Sequence, residues 1–187
     1  MVRASDGKYY GTTAGGGLNA MGTVFRITEA GAFQSLVDFT GQSGVNKGSS
    51  PATALVLGSD GELYGTTTYG GMSNLGTVFK LNASGTLTTL TEFTGSNGNA
   101  PGNYPTGLVE GAPGYFYGTT GYNGGASRGT VFRMTTAGEM TPIHDFNFEP
   151  VDNSPEGPLT LALDGNLYGT TASGAGGVFR QIGRAHV

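Results

Sequence analysis

Hydrophobic positions along the chain do not follow a helical period. Between residues 53 and 93 they fall in short runs divided by glycine, each of a strand's length. Thr53–Leu57 is a brief apolar run. Asp60-Gly61 follows, a hairpin signal because Asp-Gly tolerates the positive φ of a type I′ turn. Glu62–Thr68 reads as a second strand. A glycine-rich loop separates it from Thr77–Leu81, where Thr, Val, Phe, Lys and Leu succeed one another. Ala83-Ser84-Gly85 makes a tight turn into Leu87–Phe93. The pattern predicts four short antiparallel strands, each beside its sequence neighbour. Leu63 and Tyr64 are adjacent apolar residues, as expected of a strand covered on both faces.

The pattern recurs. KYYGTT at Lys8–Thr13 is matched by ELYGTT at Glu62–Thr67, YFYGTT at Tyr115–Thr120 and NLYGTT at Asn166–Thr171. The tyrosines Tyr10, Tyr64, Tyr117 and Tyr168 recur at near-constant spacing, each followed by a glycine, Gly11, Gly65, Gly118 and Gly169. Phe25, Phe79 and Phe132 close GTVF segments at one fixed distance after their tyrosines; Phe179 closes a GGVF segment at a shorter one. The acidic-Phe pairs Asp38-Phe39, Glu92-Phe93 and Asp145-Phe146, and the prolines Pro51, Pro105 and Pro158, keep the same register. Four markers in one register define a tandem repeat of about 53 residues. Four antiparallel strands per repeat predict an all-β partial β-propeller, an open arc of three to four blades, since closed propellers have about four to eight. The units run from about 1–50, 51–104 and 105–157, with a partial unit at 158–181. The glycine inside each YGTT strand is expected where a neighbouring blade approaches closely.

Both ends interrupt the repeat. Val2–Ala4 aligns with Val56–Gly58, so the chain opens near the end of a first strand, and further blades of a parent chain are expected as partners. Residues 182–187, IGRAHV, resemble the translated read-through of a sequencing adapter and are set aside from functional reasoning.

Composition narrows the class. The 36 glycines follow no strict three-residue period, which excludes collagen, and 36% hydrophobic content with aromatics in fixed places forms a core. A net charge of −4 without clustered Lys and Arg argues against nucleic acid. No apolar run approaches membrane-spanning length, so no membrane insertion is expected. The chain has no cysteine, which excludes disulfides and thiolate metal sites.

The segments Asp60–Thr67, Gly70-Gly71 and Gly76–Leu81 resemble the GloVer tandem repeat, named for Gloeobacter and Verrucomicrobia. Proteins with this repeat are described as choice-of-anchor, because similar arrays end in different C-terminal surface-sorting segments. The resemblance covers the chain to about Arg180 and implies an exported bacterial protein, extracellular or at the cell surface. It implies no catalytic residues. The third unit departs from the pattern with Pro113-Gly114 in place of Asp-Gly, and the fourth has a shortened loop.

In a four-stranded meander, the turns joining strands one to two and three to four lie on one face. The other connections lie on the opposite face. The first set is tight and uniform; the second is long and variable, and variable loops on a rigid scaffold are a usual place for recognition. Candidate contacts there are Asn19, Lys47, Asn74, Tyr104, Arg128, Asp152 and Asn153. The Thr pairs, such as Thr66-Thr67, are expected to bond between strands. Asp38, Glu92 and Asp145 are expected to cap strand ends or pair locally, because they recur in every complete unit. The acidic stretch 149–156 lacks the ordered spacing of a calcium loop, and Asn82-Ala83-Ser84 matches a glycosylation sequon within a tight turn. His144, at the place of Val37 and Thr91, has no nucleophile or metal partner in sequence. No catalytic residue, metal or cofactor is implied. The functional expectation is a non-enzymatic scaffold outside the cell that binds a polymer or protein through its long-loop face. The alternatives are a propeller-type polysaccharide lyase or hydrolase in a longer parent, and a purely structural spacer.

Overall fold

A computed structural model of the chain describes residues 1–51, 53–96, 98–122, 128–146, 154–172 and 176–181. Residues 182–187, set aside above, lie outside them. The described residues form four antiparallel sheets in chain order. The first blade holds β1 (Val2–Arg3), β2 (Tyr9–Thr13), β3 (Thr23–Ile27) and β4 (Phe33–Asp38). The second holds β5 (Val56–Leu57), β6 (Leu63–Thr67), β7 (Thr77–Leu81) and β8 (Leu87–Glu92). The third holds β9 (Asn103–Glu110), β10 (Tyr115–Tyr122), β11 (Thr130–Thr135) and β12 (Met140–Asp145). The fourth holds β13 (Thr160–Leu161), β14 (Leu167–Thr171) and β15 (Gly177–Gln181). Each strand pairs only with its sequence neighbours, so every blade is a simple meander and the sheets form an unclosed, partial propeller.

The Asp-Gly hairpin is real but is not a two-residue type I′ turn. The Gly61 amide donates to the Gly58 carbonyl, and the Gly58 amide to the Glu62 carbonyl. Only Gly61 has positive φ, at 81°. This is a three-residue loop, a tight turn followed by one left-handed residue, and glycine suits that residue because it lacks Cβ. The Asp60 carboxylate adds the reason for aspartate: it accepts from the Glu62 amide at 3.1 Å and from the Tyr64 hydroxyl at 2.6 Å. Asp6 and Asp164 do the same for Tyr10 and Tyr168. The third unit, with Pro113-Gly114, instead has the Gly114 amide donating to Glu110.

The strand glycine also has a different role from the expected one. Gly11, Gly65, Gly118 and Gly169 each lie directly opposite the phenylalanine of their own blade, Phe25, Phe79, Phe132 and Phe179. A Cβ on Gly65 would sit 2.6 Å from Phe79 Cζ and 2.7 Å from Leu55 Cδ2. The glycine is a seat for the ring across the ladder, within one blade. Close approach between successive blades falls elsewhere, at Gly70, where a Cβ would lie 2.5 Å from Gly48 Cα.

Alternation along the strands then sends side chains to opposite neighbours. Tyr10, Val24, Val37 and Phe39 of the first blade pack with Leu55, Leu63, Phe79, Leu81 and Leu87 of the second. Tyr64, Val78 and Phe93 of the second pack with Leu108, Phe116, Phe132 and Met134 of the third. Tyr117, Val131 and Phe146 of the third pack with Leu159, Leu167 and Phe179 of the fourth. At each junction the Phe of the acidic-Phe pair meets the GTVF or GGVF Phe of the next blade edge to face, at 5.3, 5.7 and 5.0 Å between centroids. Such pairs each add about 0.5–1.5 kcal/mol beyond the area they bury. A bulge between Val and Phe of each GTVF leaves Leu36, Leu90 or Ile143 unpaired on the outermost strand; Leu36 and Leu90 turn into the core.

The third proline marker needs correction. Pro51 packs against Gly22 and Pro105 against Gly76; the residue that packs against Gly129 in this way is Pro155, not Pro158. Pro155 also bridges to Thr171 as Pro105 pairs with Thr120. Pro155 precedes Tyr168 by the same spacing that separates Pro51 from Tyr64.

Candidate functional site

The connections β2–β3, β4–β5, β6–β7 and β8–β9 gather on one face, tied by backbone hydrogen bonds. The Ser49 and Tyr69 backbones bond reciprocally, the Ser50 amide donates to Met21, and the Gly71 amide donates to Gly41. The opposite face carries the uniform three-residue turns.

Among the described residues, the β2–β3 and β6–β7 loops share one backbone and the β4–β5 and β8–β9 loops another, while their side chains vary. In β2–β3 the Gly22 amide donates to Gly16, and in β6–β7 the Gly76 amide donates to Gly70. Ala20 and Asn74 share a positive φ of 56° and 57°, and Ser50 and Tyr104 share one of 52°. Gly41 pairs with Gly48 as Gly95 pairs with Gly102. The variability read from sequence is therefore a variability of what a fixed backbone presents.

Several predicted contact residues hold that backbone. The Asn19 amide side chain donates to the Phe39 carbonyl at 2.9 Å. Asn74 Oδ1 accepts from the Gly70 amide at 2.9 Å. Lys47 Nζ reaches the next blade's Glu92 at 2.6 Å, both side chains being about a quarter exposed. Tyr104 meets Tyr69 edge to face at 5.3 Å. Arg128 is half-buried just before β11. Asp152 and Asn153 lie outside the described residues.

The recurring acidic residues act locally, as expected. Asp38 accepts from the Leu18 amide at 3.1 Å and Glu92 from the Met72 amide at 2.6 Å, the same contact one repeat apart. Asp145 accepts from the Thr130 hydroxyl. Burial works to raise the Glu92 pKa, but the Lys47 hydrogen bond, the Met72 amide and the Lys47 charge hold it below the ordinary carboxylate value. The second YGTT threonine bonds across the ladder, Thr13 to Thr23 at 2.8 Å and Thr67 to Thr77 at 2.9 Å. Asn82 of the sequon accepts from Ser84 and from the Thr86 amide inside its turn. His144 lies opposite Val131, as Val37 lies opposite Val24, and stands edge-on to Phe146.

What sequence reasoning missed is apolar. Leu18, Val45 and Met72 sit at tips of the long loops and are 90%, 84% and 78% exposed. Tyr69 presents its ring between the second and third blades, also exposed. Leu18 and Met72 occupy the same position one repeat apart, each the second residue of a turn closed by the Ala20 amide on Gly17 or the Asn74 amide on Gly71. That coincidence was the available signal. Along the rim between the second and third blades, Glu92, Asn99, Ala100 and Glu139 border a groove of about 470 Å³.

The family model described as the Gloeobacter/Verrucomicrobia repeat matches residues 1–183. No curated protein matches the chain. Among solved structures, a protein provisionally named as a gluconolactonase superposes with a TM-score of 0.58 at 18% identity, over 95% of this chain and 57% of its own. A protein from Bacteroides uniformis, provisionally named as a 6-phosphogluconolactonase, superposes with a TM-score of 0.57 at 17% identity, over 96% of this chain and 50% of its own. The likeness is one of propeller fold, and the chain spans little more than half the length of these proteins.

Proposed function

The chain belongs to the Gloeobacter/Verrucomicrobia repeat family, and on that premise we propose that it is a non-enzymatic scaffold, exported from the cell, that binds a polymer or protein through its long-loop face. One observation carries the reading. The long-loop face sets four large apolar side chains, Leu18, Val45, Met72 and Tyr69, exposed on hydrogen-bonded loops, against one, Leu163, at the tips of the described turns on the opposite face. Apolar tips on a braced backbone lose little conformational freedom on contact, which favours binding. The polar residues Asn19, Asn74, Lys47 and Glu92 brace those tips.

The test is retention on immobilised extracellular polysaccharides and surface-protein extracts. The combined variant Leu18→Ser, Met72→Ser, Tyr69→Ala should lose retention by at least about tenfold while its melting temperature stays within a few degrees. Substitutions at the opposite turns, such as Ser84→Ala, should leave retention unchanged. Equal retention after exchanging the β2–β3 and β6–β7 loop sequences for glycine-serine would sink the reading.

A further inference from the structure

The repeats act as controls for one another: a place filled differently in two blades of the same backbone shows what the backbone does not require. One such place lies on the long-loop face, at the junction of the second and third blades. Tyr69 follows β6, and Tyr104 lies at the start of β9. The counterpart of Tyr69 in the first unit is Gly15; those of Tyr104 are Ser50 and Ser154.

The backbone needs neither ring. Ser50 and Tyr104 share a positive φ of 52°, and their amides donate to Met21 and Leu75, the same bond one repeat apart. Serine meets the demands of that position, whereas a bulky residue in the left-handed region carries strain. The Tyr69 backbone bonds both ways with Ser49, and its carbonyl also accepts from the Thr67 hydroxyl at 2.8 Å. Both rings are therefore carried on tethered backbone. They meet edge to face, with planes at 76° and centroids 5.3 Å apart, which makes a corner with a floor and a wall. Tyr69 is 42% exposed. Asn103, the residue before Tyr104, is 4% exposed, and its Oδ1 has no hydrogen-bond donor. Ser49 holds that place in the preceding unit.

We infer that this corner is a subsite for one neutral sugar ring of a polysaccharide, an inference that rests on the binding role proposed for the long-loop face. The three residues bring ring faces, hydroxyls and an amide, with no carboxylate, ammonium or guanidinium. A pyranose has a flat patch of C–H bonds, which stacks on the negative face of an aromatic ring, and hydroxyls around its edge. Those hydroxyls are donors, the groups that an acceptor such as Asn103 Oδ1 lacks. Tyrosine suits the task because it gives a large, rigid contact surface at low entropic cost. An aliphatic protein side chain would leave the amide oxygen without a donor, and a charged polymer would find no counter-charge on these residues.

Affinity electrophoresis through gels containing neutral β-glucan, xylan or mannan tests this. Retardation by at least one of them is expected. Tyr104→Ser gives the position the side chain that Ser50 has one repeat earlier, so the variant should fold with an unchanged or raised melting temperature. It should weaken retardation by at least about tenfold. Tyr104→Phe keeps the ring and should lose far less. Parental retardation of Tyr104→Ser, or an equal loss in Tyr104→Phe, overturns the proposal. So does retardation by a polyuronate gel alone. A chain held on surface-protein extracts but slowed by none of the neutral gels overturns the sugar subsite and leaves the scaffold reading in place. Failure on every glycan and protein matrix removes both.

Discussion

Val78 and Val178 occupy the same place in their blades, the third residue of the GTVF and GGVF segments, opposite Thr66 and Thr170. One is fully buried and the other is 76% exposed. Phe132 and Phe25 make a similar pair, the first fully buried against Phe93 and the second only half-covered at the chain's other end. Val178 also lacks the outer strand that β8 places beside Val78, but Phe25 and Phe132 both lie in four-stranded blades and differ only in the neighbouring blade. Burial in this fold comes from the neighbouring blade, so each unit is a half-finished core that stacking completes. The end blades therefore leave exposed the residues that the interior blades bury.

That contrast can be broken experimentally, using chain dilute enough to be a single copy. The largest effect is expected at the interior rings. Phe132→Ala should cost about 3–5 kcal/mol in urea unfolding, whereas Phe25→Ala, at the half-covered end, should cost about 1 kcal/mol. Equal costs would mean that the neighbouring blade is not what buries the ring. Next comes the glycine seat. Gly65→Ala should cost about 2–3 kcal/mol by driving Phe79 off its ladder position, and Phe79→Leu in the same chain should recover part of that loss. Additive losses would show that Gly65 and Phe79 do not share one space.

A smaller difference is expected at the valines. Val78→Ala should cost about 2 kcal/mol and Val178→Ala no more than about 0.5 kcal/mol, read as shifts in the denaturation midpoint. Smallest is the strap between blades. Glu92→Gln should cost about 1 kcal/mol at neutral pH, since the pair with Lys47 is partly exposed. The folded Glu92 pKa lies below its unfolded value near 4.5. Its contribution is thus fully present above about pH 4.5 and fades as the pH falls through the lower folded value. The gap in melting temperature between Glu92→Gln and the parent should therefore narrow as the pH falls below about 4.5; a gap that stays constant would assign the loss to packing rather than charge.

The period, the strand count and the blade topology were legible because each depends on contacts within a single repeat of the chain. Tyr-Gly-Thr-Thr and Gly-Thr-Val-Phe announce adjacent strands wherever they occur. The pairing of Gly and Phe was not legible, because the spacing between them is not constant from unit to unit. In the fourth unit the loop from tyrosine to phenylalanine is shorter than in the other three, yet Gly169 still faces Phe179. The turn geometry was not legible, because Asp-Gly serves both a two-residue loop and a three-residue loop whose last residue is Gly61. The proline marker of the fourth unit was legible at Pro155, which keeps the spacing of Pro51 from Tyr64, and its packing against Gly129 agrees with that register.

At the candidate face, the polar residues read as contacts brace the loops, and apolar ones stand exposed. Asn19, Asn74 and Lys47 look like free ligands in sequence because their partners, the Phe39 carbonyl, the Gly70 amide and Glu92, become visible only once the loops fold back. Leu18 and Met72 fall within the long loops in sequence, and the hydrogen-bonded loop backbone is what holds them exposed.

Native-state hydrogen exchange on the dilute single chain tests the central claim, that stability belongs to blade junctions rather than to blades. Amides of β6, β7, β10 and β11, which have a neighbour on each face, should open only near the free energy of global unfolding. Those of β14 and β15, with one neighbour, should exchange at least about tenfold faster. Uniform protection across all four blades would contradict the account.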